Sequence, residues 1–209
     1  MSTPILWYFA DPMCSWCWGF SPAIDVLRDA YRKRMKIALV LGGLRPGEIT
    51  PMTPAAREDI LHHWHDVHTR TAQPFQFEEA LPDGFVYDTE PASRAVVAVS
   101  SIEPTLIFPL FQAIQHAFYA QGRDVTQAAV LTELATELGV DDTAFLELFN
   151  SDAARAKTQA HFQQARKAGV KGFPTLIIQR DMQLHPISNG CLPLETVRNA
   201  IDQALEKES

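Results

Sequence analysis

Apolar positions run unbroken from Ile5 to Phe9, a β-branched and aromatic stretch that Asp11-Pro12 stops, and this predicts a first strand. From Cys14 the spacing turns helical and carries Ile24, Val26, Leu27 and Tyr31. Pro22 falls inside that run and predicts a kink. A near-continuous apolar stretch, Lys36 to Gly42, reads as a second strand buried on both faces. Strand, helix and strand in this order predict a parallel crossover. Gly42-Gly43-Leu44-Arg45-Pro46-Gly47 then breaks the pattern as a loop.

Helical periodicity holds from about residue 51 to residue 169. Thr53 before Pro54 predicts an N-cap with proline at the first helical position. Ile60, Leu61, Trp64 and Val67 trace the apolar face, and Ala72 to Phe75 ends the helix. Pro82-Asp83-Gly84 reads as a turn and Thr89 as the cap of a further helix. A long helix over Thr105 to Gln121 closes at Gly122, and three more are predicted around 126–138, 142–149 and 152–168. Thr175 to Ile178 and Gln183 to Ser188 then form a hairpin turning at Arg180-Asp181, and Leu194, Val197, Ile201 and Leu205 mark a closing helix. The order is β-α-β, a helical insertion, then β-β-α.

At 209 residues with a net charge of −7 and scattered basic residues, the chain is a poor match for nucleic acid or an anionic membrane surface. No apolar run is long enough to span a bilayer, and Ile5 to Phe9 is too short for a signal-peptide core. The expected compartment is the cytoplasm. Three cysteines are too few for a disulfide framework, and a CxxC at a strand–helix junction reads as redox-active. That motif is Cys14-Ser15-Trp16-Cys17. Cysteines three apart at a helix start can share a disulfide, the first facing solvent and the second inward. Unpaired N–H groups and the helix dipole favour a thiolate there, the nucleophile of disulfide exchange. Half of a zinc site is the competing reading, but no second Cys or His pair of similar spacing accompanies it.

The segments Asp11 to Gly19, Gly42-Gly43-Leu44-Arg45, Gly172-Phe173-Pro174-Thr175 and Asn189-Gly190 resemble the DsbA-like group of the thioredoxin superfamily, in particular its cytosolic FrnE-like branch. Gln73-Pro74-Phe75 and Pro91 to Ala95 are weaker echoes. The resemblance implies an α/β thioredoxin fold, residues 1–50 and 169–209, with an all-helical domain, residues 51–168, inserted between the second and third strands. It implies a protein-disulfide oxidoreductase or isomerase working through a mixed disulfide, with Cys14 attacking, Cys17 resolving and a cis peptide before Pro174. Without it, a trans proline that merely starts a strand is the simpler reading. Trp16, Phe173 and Pro174 are then substrate-binding candidates: Trp16 offers an apolar face or covers the disulfide, and the Phe173 backbone can pair with a peptide. Ser15 and Asp11 are candidates for tuning the thiols, Asp11 as a proton relay if buried. No cofactor or metal is expected. The expected partners are disulfide- or thiol-containing proteins, with glutathione or another thiol as redox partner.

Two other features need a reading. Cys191 is either a third exchanging thiol at the active-site rim or a small buried residue, the more ordinary case. His62, His63, His65 and His68 contain no i,i+4 pair and read as a solvated helix face. Two competing functions remain. One is a glutathione-dependent transferase or small-molecule isomerase related to the kappa-class transferases and hydroxychromene-carboxylate isomerases, against which the paired cysteines argue. The other is a binding protein whose CxxC is vestigial or regulatory.

Overall fold

A computed structural model describes residues 3–78 and 80–206. Four strands form one sheet in the order β2-β1-β3-β4. Strand β1 (Ile5–Ala10) runs parallel to β2 (Lys36–Leu41) and antiparallel to β3 (Thr175–Arg180). Strand β4 (Gln183–Asn189) pairs antiparallel with β3. The helix α1 (Ser15–Tyr31) joins β1 to β2, and α8 (Leu194–Glu206) follows β4. Between β2 and β3 lie α2 (Pro54–Thr71), α3 (Glu90–Ile102), α4 (Ile107–Tyr119), α5 (Ala128–Glu137), α6 (Asp142–Asn150) and α7 (Asp152–Lys167). This is the β-α-β, helices, β-β-α order expected from the sequence.

The inserted helices share one apolar core with α1 and the sheet. Gly19 lets α2 close onto α1: a Cβ there would meet Val67 and Thr71 at 2.9 Å. Trp18 stacks on Tyr119, with ring centroids 6.3 Å apart, and Trp64 packs against Phe75, Phe118 and Tyr119. Such aromatic pairs contribute about 0.5–1.5 kcal/mol each beyond their buried area. Helix α1 continues through Pro22, which has no N–H to give the Trp18 carbonyl. Gln73 takes that place, donating from Nε2 to the Trp18 carbonyl at 2.9 Å and to the Ser21 hydroxyl at 2.7 Å.

Several local expectations change. Strand β2 is an edge strand, and only Val40 and Leu41 are buried; its apolar run reflects one covered face and the helices beside it. Thr53 caps α2 by accepting from Ala56 N, but the Thr89 hydroxyl makes no cap and instead accepts from Arg45 N at 3.0 Å. The long helix begins only at Ile107, preceded by a 3-10 turn over Pro104–Leu106. The hairpin turns at Asp181 and Met182, one residue later than expected, because Arg180 still pairs with Gln183.

Candidate active site

Asp11 begins the site. It follows the last residue of β1 and is completely buried. Its Oδ1 accepts from Met13 N at 2.9 Å and its Oδ2 from Leu44 N at 2.8 Å. One carboxyl group therefore fixes the segment leading into the CxxC to the loop after β2. Burial raises its pKa to about 6 despite those two bonds. The second anchor of the loop is Thr89, whose N–H donates to the Arg45 carbonyl at 3.2 Å.

Cys14 occupies the N-cap position of α1, in extended conformation, and its carbonyl accepts from both Cys17 N and Trp18 N at 3.0 Å. Both cysteines are free thiols. Cys14 is 6% exposed, so the sulfur expected at the surface lies beneath a rim of side chains. Cys17 is fully buried, as its inward position on the helix requires. Burial pushes the Cys17 thiol well above its ordinary range, and its hydrogen bond and repulsion with Cys14 push it the same way. Beneath them the Tyr8 hydroxyl is completely buried and has no hydrogen-bond partner among the described residues; its strongest electrostatic neighbours are Cys17 and then Cys14.

The loop before β3 closes the site from the other side. The Phe173–Pro174 peptide is cis. The Phe173 carbonyl lies 3.6 Å from Cys14 Sγ, within reach of its S–H, and the Pro174 carbonyl accepts from Gly190 N at 2.7 Å. Gly42 makes room for the Phe173 ring: a Cβ there would stand 2.0 Å from Cζ. Thus Asp11, Cys14, Cys17, Phe173 and Pro174 converge from β1, α1 and the loop before β3. Ser15 and Trp16 are half-buried at the rim. Trp16 lines two clefts, one of them shared with Cys14. Cys191 is also half-buried and opens into the groove on the far side of Trp16, so it is not the enclosed residue its type suggested.

Sequence reasoning missed the rest of the rim. Arg45, Ile60, His63, Trp64 and Tyr87 share the cleft of Cys14. The histidine run divides between two faces: His65 stacks on Phe77 at 3.9 Å and His68 Nδ1 bonds the Gln73 carbonyl, while His63 faces the cysteine cleft. No group of three metal-binding side chains occurs among the described residues. No described helix is long and apolar enough to cross a membrane.

Comparison with known proteins follows this geometry. A solved structure from Nitrosomonas europaea, proposed to be a protein disulfide isomerase, is 47% identical and superposes with a TM-score of 0.94 over 100% of both chains. The cytosolic disulfide reductase DsbM from Pseudomonas aeruginosa is 27% identical, with a TM-score of 0.78 over 96% of this chain and 98% of that one. DsbM has also been solved with GSH. The ClpXP adapter protein SpxH from Halalkalibacterium halodurans is 22% identical over 84% of this chain and 58% of that protein, so the chain spans under two thirds of this curated relative. The DSBA-like thioredoxin domain matches residues 5–202, and the chain belongs to that family.

Proposed function

We propose that the protein is a thiol–disulfide oxidoreductase acting through a mixed disulfide at Cys14. The observation that carries this reading is the placement of Cys14 at the start of α1, beside a buried Cys17 and facing the Phe173 carbonyl. In the reducing direction, the Cys14 thiolate attacks a substrate disulfide, and one substrate sulfur leaves as a thiol after taking up a proton. Cys17 then loses its proton, attacks the Cys14 sulfur and releases the second substrate thiol, leaving Cys14–Cys17 oxidised. Asp11, with its pKa raised to about 6, is the buried base that takes the Cys17 proton. The oxidising direction is the same sequence reversed, and isomerisation combines the two.

A peptide substrate would lie along the backbone at Phe173 and Pro174 as an added strand. Glutathione is the thiol partner in this reading, in keeping with the solved complex of DsbM with GSH. The cytosol is the working compartment in this reading, as for DsbM. Trapping tests the mechanism. Cys17→Ser incubated with insulin, its disulfides intact, or with glutathione disulfide should accumulate a covalent adduct, mapped to Cys14 and released by dithiothreitol. No adduct at Cys14 with any disulfide would refute it.

The relationship to SpxH favours a second reading, an adapter that docks a client through the Trp16 rim without turnover. Insulin reduction by dithiothreitol separates the two. Catalysis lost in Cys14→Ser supports the oxidoreductase; equal rates with and without the wild-type protein support the adapter.

A further inference from the structure

Trp16 stands between two clefts, one of which contains Cys14, and each cleft carries an arginine. On one side, a cleft of about 250 Å³ contains Cys14, Ser15, Trp16, Arg45, His63 and Tyr87. The Arg45 guanidinium sits 5.2 Å above the Tyr87 ring, which is itself fixed by its hydroxyl donating to the Met13 carbonyl at 2.7 Å. On the other side, a groove of about 530 Å³ runs along Trp16 past Arg70, Thr71 and Cys191. The Arg70 guanidinium sits 5.4 Å above the Trp16 ring. Arg45 has the Glu48 carboxylate within electrostatic reach, whereas Arg70 forms no ion pair among the described residues.

We propose that the two clefts together form a bipartite site for a small disulfide bearing a carboxylate on each side of its cysteine sulfur, of the glutathione disulfide class, and that Arg45 and Arg70 set the preference for it over protein disulfides. The inference rests on the thiol-exchange reading above and names its substrate. Two observations point to a small anion. The chain as a whole is acidic, at −7, yet the cleft that holds Cys14 and the groove on the other side of Trp16 each carry an exposed arginine. The nucleophile is only 6% exposed, and Ile60, His63 and Trp64 of α2 wall its cleft, so a disulfide on a folded protein must bring its flanking backbone past that helix. A flexible tripeptide disulfide enters with one arm in each cleft, its carboxylates reaching Arg45 and Arg70 while Trp16 supports the stem between them.

The chemistry is one exchange. Cys14 S⁻ attacks one sulfur, the substrate S–S bond breaks, and one tripeptide leaves as thiolate and is protonated. Cys17 then displaces the second tripeptide thiol. The substrate gains two electrons and the Cys14–Cys17 pair loses them, so a single turnover of the reduced protein needs no further reagent.

Stopped-flow oxidation of the reduced protein tests this, with glutathione disulfide, uncharged hydroxyethyl disulfide and insulin as oxidants. Formation of the Cys14–Cys17 bond is verified by peptide mapping. The readout is the selectivity ratio, the rate constant with glutathione disulfide over that with hydroxyethyl disulfide. Arg45→Gln and Arg70→Gln should each lower the ratio about three- to fivefold, as expected for exposed charge pairs, and added salt should lower it in the wild type. The double variant should lose about the product of the two. An unchanged ratio in both variants overturns the proposal, as does faster oxidation of the wild type by insulin than by glutathione disulfide. Failure of all three disulfides to join Cys14 to Cys17 overturns the exchange reading itself, and this proposal with it.

Discussion

Replacing Asp11 by Asn removes a carboxyl group buried beside Cys14 and Cys17. In the folded protein this group titrates near pH 6, against 3.8 for the unperturbed side chain. The fold therefore favours its protonated form. The associated stability is fully present below about pH 3.8 and is lost as the pH rises through about 6. Applying the linkage relation to these two values, the wild type loses about 1.3 kcal/mol from this group between pH 5 and pH 7.

Asn at this position does not titrate. It can keep only one of the two acceptor contacts to Met13 N and Leu44 N, and its amide then faces the other N–H at a cost of about 1–3 kcal/mol. At pH 7 that cost is offset by relief of the buried charge, so a comparison at one pH is uninformative. The slope is informative. Urea unfolding of both proteins, held reduced, should show the wild type losing about 1.3 kcal/mol relative to Asp11→Asn from pH 5 to pH 7. A difference independent of pH, or a wild type that gains on the variant as pH rises, would refute the reasoning. It would mean that the two backbone donors outweigh burial. The same variant should slow release of the second substrate thiol if Asp11 takes the Cys17 proton.

Three further outcomes follow from the packing. Gly42→Ala sets a methyl against the Phe173 ring, and the displaced ring should cost about 1–3 kcal/mol in urea unfolding and slow exchange at Cys14; unchanged stability would contradict the close approach. Arg94 is buried, pairs with Glu90 at 2.8 Å and donates to the Phe149 carbonyl at 2.6 Å, so Arg94→Leu should cost about 3–5 kcal/mol by leaving Glu90 and that carbonyl uncompensated; a loss below about 1 kcal/mol would contradict it. Tyr8→Phe removes a buried hydroxyl that has no hydrogen-bond partner among the described residues and should leave the reduced protein as stable or about 1 kcal/mol more stable; a loss above about 1 kcal/mol would show that the hydroxyl is bonded after all.

Local pattern carried much of the fold. The Thr53-Pro54 helix start was readable because capping depends on adjacent residues, and the hairpin because its two strands are separated by a two-residue turn. The edge position of β2 was not readable: it leaves Ile37 and Leu39 half-buried, although they are as apolar as core residues. Thr89 has the composition of a cap, yet a loop residue more than forty positions earlier takes its hydroxyl. The site divides in the same way. The spacing of Cys14 and Cys17 fixes their place on α1, so a motif suffices to find them. Arg45, His63 and Arg70 come from a loop and two positions on α2, and no motif joins them. The turn of α2 that aims His63 at the cleft is set by the tight approach of Val67 and Thr71 to Gly19. Cys14 lies deeper than its position at a helix start suggests because that same helix covers it.

The central claim is a reversible Cys14–Cys17 couple. It is tested most directly by equilibrating the protein with graded ratios of reduced to oxidised glutathione, quenching with acid and mapping the disulfides by mass spectrometry. The account predicts a single two-electron transition in which the Cys14–Cys17 disulfide alone appears and disappears with the ratio. Cys14 and Cys17 remaining unpaired at every ratio, or pairing irreversibly, would contradict it.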